Sequence, residues 1–340
     1  MSDFMKSITV LAHATDPVYI GTGGYTIGRV DNTIVRDPIT RIPKIPGTSL
    51  CGTWRYFMML QLQSYFQEND AVHYRSDRKS RKDIKIEDLF ESDAPGWAKT
   101  FEGNRYAAVR CAGQDEFPQE DTGGEKGHCG KCIVCQTFGF SKKDKSFQGL
   151  ASFTDLNILF FPVYTRLGTR WITSEQILMD SNLIERKTEN LTGAKIAVSD
   201  QGSREDSHSL NLGWLNLETQ KKQTALNVTN CDNLNEKEII IVPDSLISQI
   251  INSNLEVRTS VAIDPITGAA KEGALFTSEA IPRATWFYGN VFLFDRPDGK
   301  DLPGPELILK ALNASKHYYE TLGVGGMTTR GFGRLKINSL

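Results

Sequence analysis

The sequence has no long apolar run, no leader-like start and no strong excess of either charge. Its longest apolar stretch, residues 158–163, is far shorter than the roughly 18 residues that a membrane-spanning helix needs. Residues 1–10 show no signal-peptide pattern, so we expect a cytoplasmic protein with no membrane association. A formal net charge of −2 argues against a surface that coats nucleic acid as a whole, although it leaves room for a local basic groove.

Several catalytic signatures are missing as well. The glycine-rich stretch at residues 21–28 lacks the Gly-Lys-Ser/Thr ending of a phosphate-binding P-loop. The five histidines have no spacing typical of a catalytic metal, and no serine lies in a nucleophile elbow. These absences argue against a P-loop nucleotide hydrolase, a histidine-based catalytic metal site and a serine hydrolase.

The pattern of apolar residues predicts an α+β fold with helices on one side of a sheet. Strands are predicted at residues 7–13, 153–163, 238–242, 285–294 and 334–337. Helices are predicted from Thr48 or Ser49 to about Phe66, at 243–252 and at 305–321. Residues 68–128 are polar and rich in turn signals, which is typical of an insertion, and residues 181–235 lack clear periodicity.

A glycine-rich segment near the end of the chain predicts an anion site. Residues 323–334 contain five glycines and two arginines between a predicted helix and a predicted strand. Exposed backbone amides of Gly325 and Gly326 could form a concavity for phosphate, with Arg330 adding positive charge. The alternative is a turn that only closes the sheet.

A second such segment lies near the start of the chain. Pro46 and Gly47 force a turn, after which Thr48 and Ser49 place hydroxyl and amide groups at a helix start, where anions bind. Arg55 follows about two helical turns later. Its side chain could reach a phosphate or pair with a carboxylate.

Three closely spaced cysteines predict a structural zinc site. Cys129, Cys132 and Cys135 are separated by two residues each, and Cys-x-x-Cys turns place two thiolates on one tetrahedral metal. Cys111 is favoured as the fourth ligand, and His128 is the alternative. The remaining two of six cysteines, at positions 51 and 231, are interpreted as core residues.

The combination of segments resembles the backbone subunits of type III CRISPR effector complexes, which belong to the RAMP superfamily. The resemblance rests on residues 27–40 and 42–55, on residues 161–174, on residues 261–282 and on the glycine-rich tail. The Cys-x-x-Cys run followed by Phe138 and Gly139 is similar to the corresponding motif in the zinc-bearing members of the family. One departure is Cys51, where the family usually carries lysine.

The resemblance implies one elaborated RAMP domain over residues 1–340, with an RRM-like (ferredoxin-like) core sheet. It further implies a zinc-bearing insertion at 68–145, an irregular insertion at 181–235 and a thumb β-hairpin at 258–284. The partners implied are a CRISPR guide RNA, a complementary target RNA, other effector subunits and further copies of the chain itself.

The resemblance also implies cleavage of the target RNA at a nucleotide kinked by the thumb. Asp31 matches the family's catalytic aspartate, which acts with Mg²⁺ or another divalent cation. A carboxylate at this place could hold the metal or accept the proton of an attacking 2′-hydroxyl. From the residues alone, an Asx turn is the favoured interpretation of Asp31, and the nearby Asp37 is interpreted as a turn residue.

The residues expected to bind RNA are those of the two anion-binding segments and the central motif: Lys44, Thr48, Ser49, Arg55, Arg166, Arg170, Gly325, Gly326 and Arg330. Arg166 and Arg170 could instead pair with acids such as Glu175. Tyr25, Phe276 and Trp286 could stack on bases or pack in the core. A non-catalytic scaffold subunit and a free-standing zinc-stabilised RNA-binding module are the other two hypotheses.

Overall fold

A computed structural model of the chain describes most of the residues that these predictions concern. The described residues are 4–23, 30–66, 90–100, 111–112, 128–142, 145–183, 195–198, 209–221, 226, 228, 230–232, 234–296 and 302–339. Within them, no helix is long and apolar enough to cross a membrane.

The described residues form a large mixed sheet with few helices. The helices are α1 (Gly47–Gln63), α2 (Ile133–Phe138), α3 (Glu175–Asp180), α4 (Asp244–Ser253), α5 (Pro305–Ser315) and α6 (Tyr318–Thr321), with 3-10 turns at Ala98–Thr100, Glu236–Glu238 and Thr328–Arg330. The strands are β1 (Met5–Ala14), β2 (Lys44–Ile45), β3 (Phe140–Lys142), β4 (Lys145–Phe147), β5 (Ala151–Phe153), β6 (Leu156–Thr165), β7 (Gly168–Ser174), β8 (Ile196–Val198), β9 (Ser209–Leu212), β10 (Leu215–Lys221), β11 (Ile239–Val242), β12 (Glu256–Ile263), β13 (Ala270–Ala280), β14 (Trp286–Phe294) and β15 (Leu335–Ser339).

The main sheet has the strand order β15-β1-β14-β6-β7-β11-β8-β10-β9, with β2 beside β6 and β5 beside β14. Its first four strands are antiparallel neighbours, whereas β11 runs parallel to β7 and β10 runs parallel to β8. Strand β6 belongs to both halves, because its first residues pair with β14 and its last residues pair with β7. Strand β6 therefore joins the two halves of the sheet.

The main core lies between one face of this sheet and helix α1. Alternation along β1 sends Val10 and Ala12 into this core and Leu11 to the opposite face. Helix α1 buries Leu50, Trp54 and Phe57 along one side, as expected for residues three to four positions apart. The indole N–H of Trp54 donates to the carbonyl of Leu312 in α5 at 3.3 Å, which ties the two helices together.

The opposite face of the sheet is covered as well. A second core there contains Leu11, Trp286 and Leu178, and Cys231 and Leu234 also pack into it. Because Leu178 belongs to α3, the prediction that all helices lie on one side of the sheet was wrong. Three strands, β8 to β10, lie within residues 181–235, a stretch in which the apolar pattern had no clear period.

Candidate nucleic-acid interface

A two-stranded hairpin formed by β12 and β13 carries unusually exposed apolar side chains. Thr259 pairs with Thr277, and Val261 pairs with Leu275. Cross-strand partners lie on the same face of a hairpin, so these four side chains share one face. Leu275 is 67% exposed and Val261 is 41% exposed, whereas soluble proteins usually bury such residues.

The turn at the hairpin tip repeats a turn found elsewhere in the chain. Residues 37–40 and residues 264–267 both read Asp-Pro-Ile-Thr. In both turns Oδ1 of the aspartate accepts the backbone N–H groups of the residues two and three positions later. The two distances are 3.0 and 2.9 Å for Asp37. They are 2.8 and 3.2 Å for Asp264. The turns display Ile39 and Ile266, which are 90% and 93% exposed. Each turn therefore presents an isoleucine to solvent from a fixed backbone.

Asp37 is confirmed as a turn residue by these hydrogen bonds. The backbone N–H of Thr40, followed by that of Ile39 and by Lys44, lowers the pKa of Asp37 to about 2. The carboxylate is therefore ionised at all physiological pH values.

Asp31 lies at the root of the hairpin and is held there by Thr277. The backbone N–H of Thr277 donates to Oδ2 of Asp31 at 2.7 Å, and its hydroxyl donates to the same oxygen at 2.9 Å. In return, the backbone N–H of Asp31 donates to the Thr277 hydroxyl oxygen at 3.1 Å. These bonds go to a distant strand and not to the turn of Asp31 itself, so the Asx-turn alternative for this residue was wrong.

The hydrogen bonds from Thr277 also set the charge of Asp31. The Thr277 backbone N–H, and then its hydroxyl, lower the pKa of the exposed Asp31 carboxyl. Oδ2 accepts both bonds, and Oδ1 accepts none from the described residues. Within the described residues, the side chain is therefore an exposed carboxylate with one oxygen fixed by Thr277 and the other without a partner.

The residues that follow Asp31 strengthen its attachment to the hairpin. Asn32 donates its backbone N–H to the carbonyl of Thr277 and accepts the N–H of Glu279, both at 3.0 Å. The guanidinium of Arg36 then lies 2.7 Å from the carboxylate of Glu279 in a mostly buried ion pair. The position of Asp31 is thus coupled to the position of strand β13.

The glycine-rich tail packs beside the same region. The backbone N–H of Gly326 donates to the carbonyl of Tyr19 at 2.9 Å. Gly325 has φ +84°, and a Cβ at this position would lie 2.3 Å from the same carbonyl oxygen. Glycine is required there because only it allows both this conformation and this close approach. Tyr19 precedes the segment that leads to Asp31, so the tail and the hairpin root adjoin one backbone segment.

Strand β12 contacts the tail from the other side of the hairpin. The guanidinium of Arg258 donates to the carbonyl of Gly331 at 3.1 Å and lies 4.7 Å from the ring centre of Phe332. The hairpin root is therefore fixed on both strands, by the tail on β12 and by the Asp31 segment on β13. Arg330 is exposed nearby, and its guanidinium makes no ion pair or hydrogen bond with any described residue.

The start of helix α1 differs from the predicted anion site. The helix begins at Gly47 after Pro46, and neither Thr48 nor Ser49 caps it. Instead, the Asp155 carboxylate accepts the Gly47 N–H at 2.7 Å, so the chain supplies its own anion at this helix end. Thr48 is exposed and Ser49 is half-buried.

Lys44 lies between two carboxylates beside this helix start. Its ammonium group is 2.7 Å from Asp155 and 3.2 Å from Asp37. The hydrogen bond to Asp155, followed by that to Asp37, raises the pKa of Lys44. Its charge is thus already compensated within the chain, whereas Arg330 has no acid partner among the described residues.

In the part of the chain that the structure describes, Arg55 contacts neither a carboxylate nor the glycine-rich tail. Its Nε–H donates to the backbone carbonyl of Cys111 at 2.7 Å, and its Nη2 lies 3.1 Å from Nδ1 of His128. A guanidinium always donates, so Nδ1 of His128 accepts. Arg55 therefore attaches the cysteine-containing segment to helix α1.

Four cysteine sulfurs form the one group of three or more potential metal ligands in the described part of the chain. The sulfurs of Cys111, Cys129, Cys132 and Cys135 all lie within 4.8 Å of one another. Cys129 is 3.5 Å from Cys111 and 3.9 Å from Cys135. A tetrahedral metal with sulfur ligands at about 2.3 Å requires sulfurs roughly 3.8 Å apart, so the spacing fits zinc and is far too long for a disulfide.

The surroundings of the cysteines suit thiolate ligands. The Cys129 sulfur accepts the N–H of Cys132 at 3.3 Å, and the Cys132 sulfur accepts the N–H of Cys135 at 3.4 Å. Hydrogen bonds with the other thiols, that of Cys111 first, lower the pKa of Cys135 and of Cys129. The hydrogen bond with Cys129 raises the pKa of Cys111, and burial raises that of Cys132, so two of the four thiols lose their protons more readily than the other two. His128 is buried, with its Nδ1 turned to Arg55 and 3.8 Å from the Cys135 sulfur.

The remaining predicted contacts are scattered. Arg166 donates to the carbonyl of Ser209 at 2.9 Å, and Arg170 donates to the carbonyl of Thr169 at 3.0 Å, so neither pairs with Glu175. Trp286 is buried and stacks on His13 at 4.6 Å between ring centres, which excludes it from base stacking. Phe276 is half-buried on the hairpin. Tyr25 lies outside the described residues.

The protein family follows from a comparison with known families. A family model of the RAMP superfamily matches residues 12–336, nearly the full length. The chain therefore belongs to the RAMP superfamily, as the sequence motifs predicted.

Individual relatives match over a similar length. The chain is 25% identical over 337 residues to the CRISPR system Cmr endoribonuclease Cmr4 of Pyrococcus furiosus, which covers 98% of this chain and 95% of that protein. A chain from the cryo-EM structure of type III-B Cmr-beta bound to cognate target RNA shares 16% identity and a TM-score of 0.58, covering 99% and 98% of the two chains. Oligomeric Cmr4 from Pyrococcus furiosus gives 17% identity and a TM-score of 0.54, covering 99% of both chains. The large mixed sheet is thus shared with these structures.

Proposed function

We propose that this chain is a guide-RNA-binding backbone subunit of a type III CRISPR effector complex, which positions a target RNA and cleaves it with Asp31. The observation that carries this proposal is the attachment of the Asp31 carboxylate to Thr277 at the root of an exposed apolar hairpin. The full-length match to an endoribonuclease supports the activity. The match to a complex with bound target RNA supports the substrate.

The hairpin of β12 and β13 is the proposed thumb, corresponding to residues 258–284. Its exposed side chains, Val261, Leu275 and Ile266, are of the kind that proteins insert between stacked bases to kink nucleic acid. Thr277 lies on the same face as Val261 and Leu275. A nucleotide displaced by that face would therefore lie next to the carboxylate that Thr277 holds.

Asp31 suits a cleavage role because it remains ionised and presents one oxygen. A carboxylate at a kinked nucleotide can accept the proton of the 2′-hydroxyl as that group attacks the adjacent phosphate. Mg²⁺ is commonly held by one or two carboxylates together with phosphate oxygens, which fits a single available Oδ1. When bound, such an ion supplies charge stabilisation at the phosphate.

The core fold proposed for this chain is RRM-like. Strands β1, β6, β14 and β15 stand in the order β15-β1-β14-β6, with α1 after β1 and α5 after β14. This arrangement of a βαββαβ unit supports a ferredoxin-like core. The additions to it are the proposed insertions at residues 68–145 and 181–235 and the thumb.

Guide RNA is proposed to contact the tail segment and the adjoining backbone. The exposed guanidinium of Arg330 supports this assignment most strongly, because it makes no ion pair or hydrogen bond with the described residues. The N–H of Gly326 already donates to the Tyr19 carbonyl, so of the two glycine amides only that of Gly325 is proposed to contact a phosphate. Thr48 and Ser49 provide hydroxyls near the start of α1, and Arg166 and Arg170 provide charge elsewhere. Lys44 and Arg55 are proposed to act through their internal partners, because both are already engaged.

Zinc is the metal proposed for the four cysteines. Cys111 is proposed as the fourth ligand because its sulfur joins the group of four, whereas Nδ1 of His128 accepts from Arg55. Four protein ligands leave no open position, so the site would be structural. It would fix the proposed insertion to helix α1 through Arg55.

Replacement of Asp31 in the assembled complex tests the proposal. Asp31→Asn keeps the shape of the side chain but removes the charge, so we expect target cutting to fall by about 10²- to 10⁴-fold while target binding stays within about twofold. Asp232→Asn is the matched control, because Asp232 is also an exposed carboxylate but pairs with Lys336. Cutting that survives Asp31→Asn at the control rate would refute the assignment.

A scaffold subunit without catalytic activity is the second candidate. The observation that favours it is that the described residues place no group of three potential metal ligands at Asp31. This candidate predicts that target RNA stays intact in complexes whose other subunits are inactivated. The cleavage proposal predicts cuts there at the spacing of this subunit.

A further inference from the structure

Outside the hairpin region, the described surface carries one more group of exposed aromatic and cationic residues. Trp214 is 88% exposed and Tyr164 is 75% exposed. Leu167, which is 42% exposed, and the exposed Arg166 follow Tyr164 closely in the chain. An exposed tryptophan is rare, because burial of its large ring is strongly favourable.

Hydrogen bonds of Arg166 bring together two separate chain segments, one that ends in the turn of Trp214 and one that contains Tyr164 and Arg166. Trp214 occupies the two-residue turn between β9 and β10, and Arg166 and Leu167 form the turn between β6 and β7. The backbone N–H of Arg166 donates to Oδ1 of Asn211 at 3.0 Å, and the guanidinium of Arg166 donates to the carbonyl of Ser209 at 2.9 Å. Trp214 is three residues beyond Asn211, which limits its Cα to within about 10 Å of that contact.

The charge of Arg166 is not compensated by an acid among the described residues. Among the described residues its guanidinium donates only to a neutral carbonyl, so the full positive charge remains available to a phosphate. Gly213, with φ +60°, packs closely against Asn254, because a Cβ there would lie 2.3 Å from the Asn254 side chain. The Arg166 turn is thus hydrogen-bonded to β9, and the Trp214 turn lies against the end of α4.

We propose that Trp214, Tyr164 and Arg166 form a second RNA-binding site that stacks the bases of a single-stranded segment and binds its phosphates. The aromatic faces accept any base, and the guanidinium supplies the charge that a ribose-phosphate strand requires. This inference rests on the proposed RNA-binding function but does not depend on cleavage at Asp31. Single-stranded RNA is assigned in preference to a folded protein because the exposed aromatic rings accompany a guanidinium with no acid partner among the described residues.

Tryptophan fluorescence of the purified full-length chain gives a direct test. Of the five tryptophans, Trp54, Trp97 and Trp286 are buried, and Trp171 is half-buried with its indole N–H donating to Ala284. Stacking on Trp214 should therefore give saturable quenching when a short single-stranded oligoadenylate is added. No saturable quenching of the wild type at the highest soluble oligonucleotide concentration would overturn the proposal.

Two variants of Trp214 separate stacking from apolar docking. Trp214→Phe keeps an aromatic face, so binding measured by anisotropy should persist although the quenching disappears. Trp214→Leu keeps apolar bulk but removes the π face, so the affinity should fall about tenfold, in line with the loss of one stacked base. Trp171→Phe serves as the control that leaves both readouts near the wild-type values.

The outcomes are distinct from those of the cleavage test. Unchanged affinity in Trp214→Leu, especially with reduced self-association of the chain, would show that the patch docks protein and would overturn the RNA assignment. Arg166→Gln should lower the dependence of binding on salt by roughly one phosphate contact. Because every readout is binding by the isolated chain, the result does not depend on whether Asp31 cuts.

Discussion

Thr277 offers a way to test whether the hairpin positions the catalytic carboxylate. Three hydrogen bonds join it to Asp31, and Thr277→Val removes the two that involve its hydroxyl, at 2.9 and 3.1 Å. The backbone N–H bond at 2.7 Å remains. Asp31 would keep its charge and one hydrogen bond, but its carboxylate would no longer be held in one orientation. Misplacement of a reacting group by about 1 Å can reduce a rate about 10²-fold.

We therefore expect Thr277→Val to reduce target cutting by about 10- to 100-fold in the reconstituted complex, with target binding unchanged. Thr277→Ser, which retains a hydroxyl, should restore most of the activity. Thr259→Val is the matched control, because Thr259 pairs with Thr277 across the hairpin but is not bonded to Asp31.

The pH profile separates this positioning effect from simple loss of the fold. The pKa of Asp31 lies below its ordinary value of 3.8, with the Thr277 backbone N–H the largest cause and the hydroxyl the next. Activity that requires the carboxylate should be retained as pH falls until this lowered pKa is reached. Thr277→Val should shift that loss toward higher pH. Equal rates and equal pH profiles for Thr277→Val and Thr259→Val would show that the Thr277 hydroxyl does not position Asp31.

Three further predictions concern the cysteine cluster and the glycine tail. Purified chain should contain about one zinc per chain by elemental analysis, and Cys132→Ser should lose it together with a marked fall in Tm. Arg55→Ala should weaken zinc retention against a chelator, because Arg55 bonds Cys111; full retention would contradict that role. Gly325→Ala should destabilise the chain by more than about 1 kcal/mol in thermal melts, because the new Cβ would clash with the Tyr19 carbonyl. Gly52→Ala is the control, because that position in α1 is open and the change should stabilise the helix by up to about 1 kcal/mol.

The secondary structure could be predicted where the apolar period is strong. Strand β1 and helix α1 each bury a regular set of side chains, so their positions follow from the sequence to within about three residues. The short strands β8 and β9, with three and four residues, carry too little pattern to be found. They form only because neighbouring strands complete their hydrogen bonds.

Local spacing also explains why the cysteine group could be predicted. Cys129, Cys132 and Cys135 are near neighbours in the chain, and the conformation of such a turn is set locally. The partner of Arg55 could not be predicted in this way. The sequence suggested a phosphate or an acid, whereas its acceptor is the carbonyl of Cys111, which lies 56 positions away and leaves no local signal. The Asp155 contact at the start of α1 was missed for the same reason.

The link between Asp31 and Thr277 marks the limit of sequence reasoning. The two residues are 246 positions apart, and nothing in either neighbourhood indicates that they meet. The resemblance to a known family pointed to Asp31 and to the hairpin separately. Only the folded chain reveals that one holds the other.

The central claim is most directly tested by a structure of the assembled complex with guide RNA and a target that carries a 2′-deoxy substitution at the cut site. We expect the Asp31 carboxylate to lie within about 3 Å of the reacting ribose position, or one water or metal ion away from it, beside the apolar face of the hairpin. A target strand that runs past the opposite face of the hairpin, with another carboxylate nearer to the scissile phosphate, would contradict it.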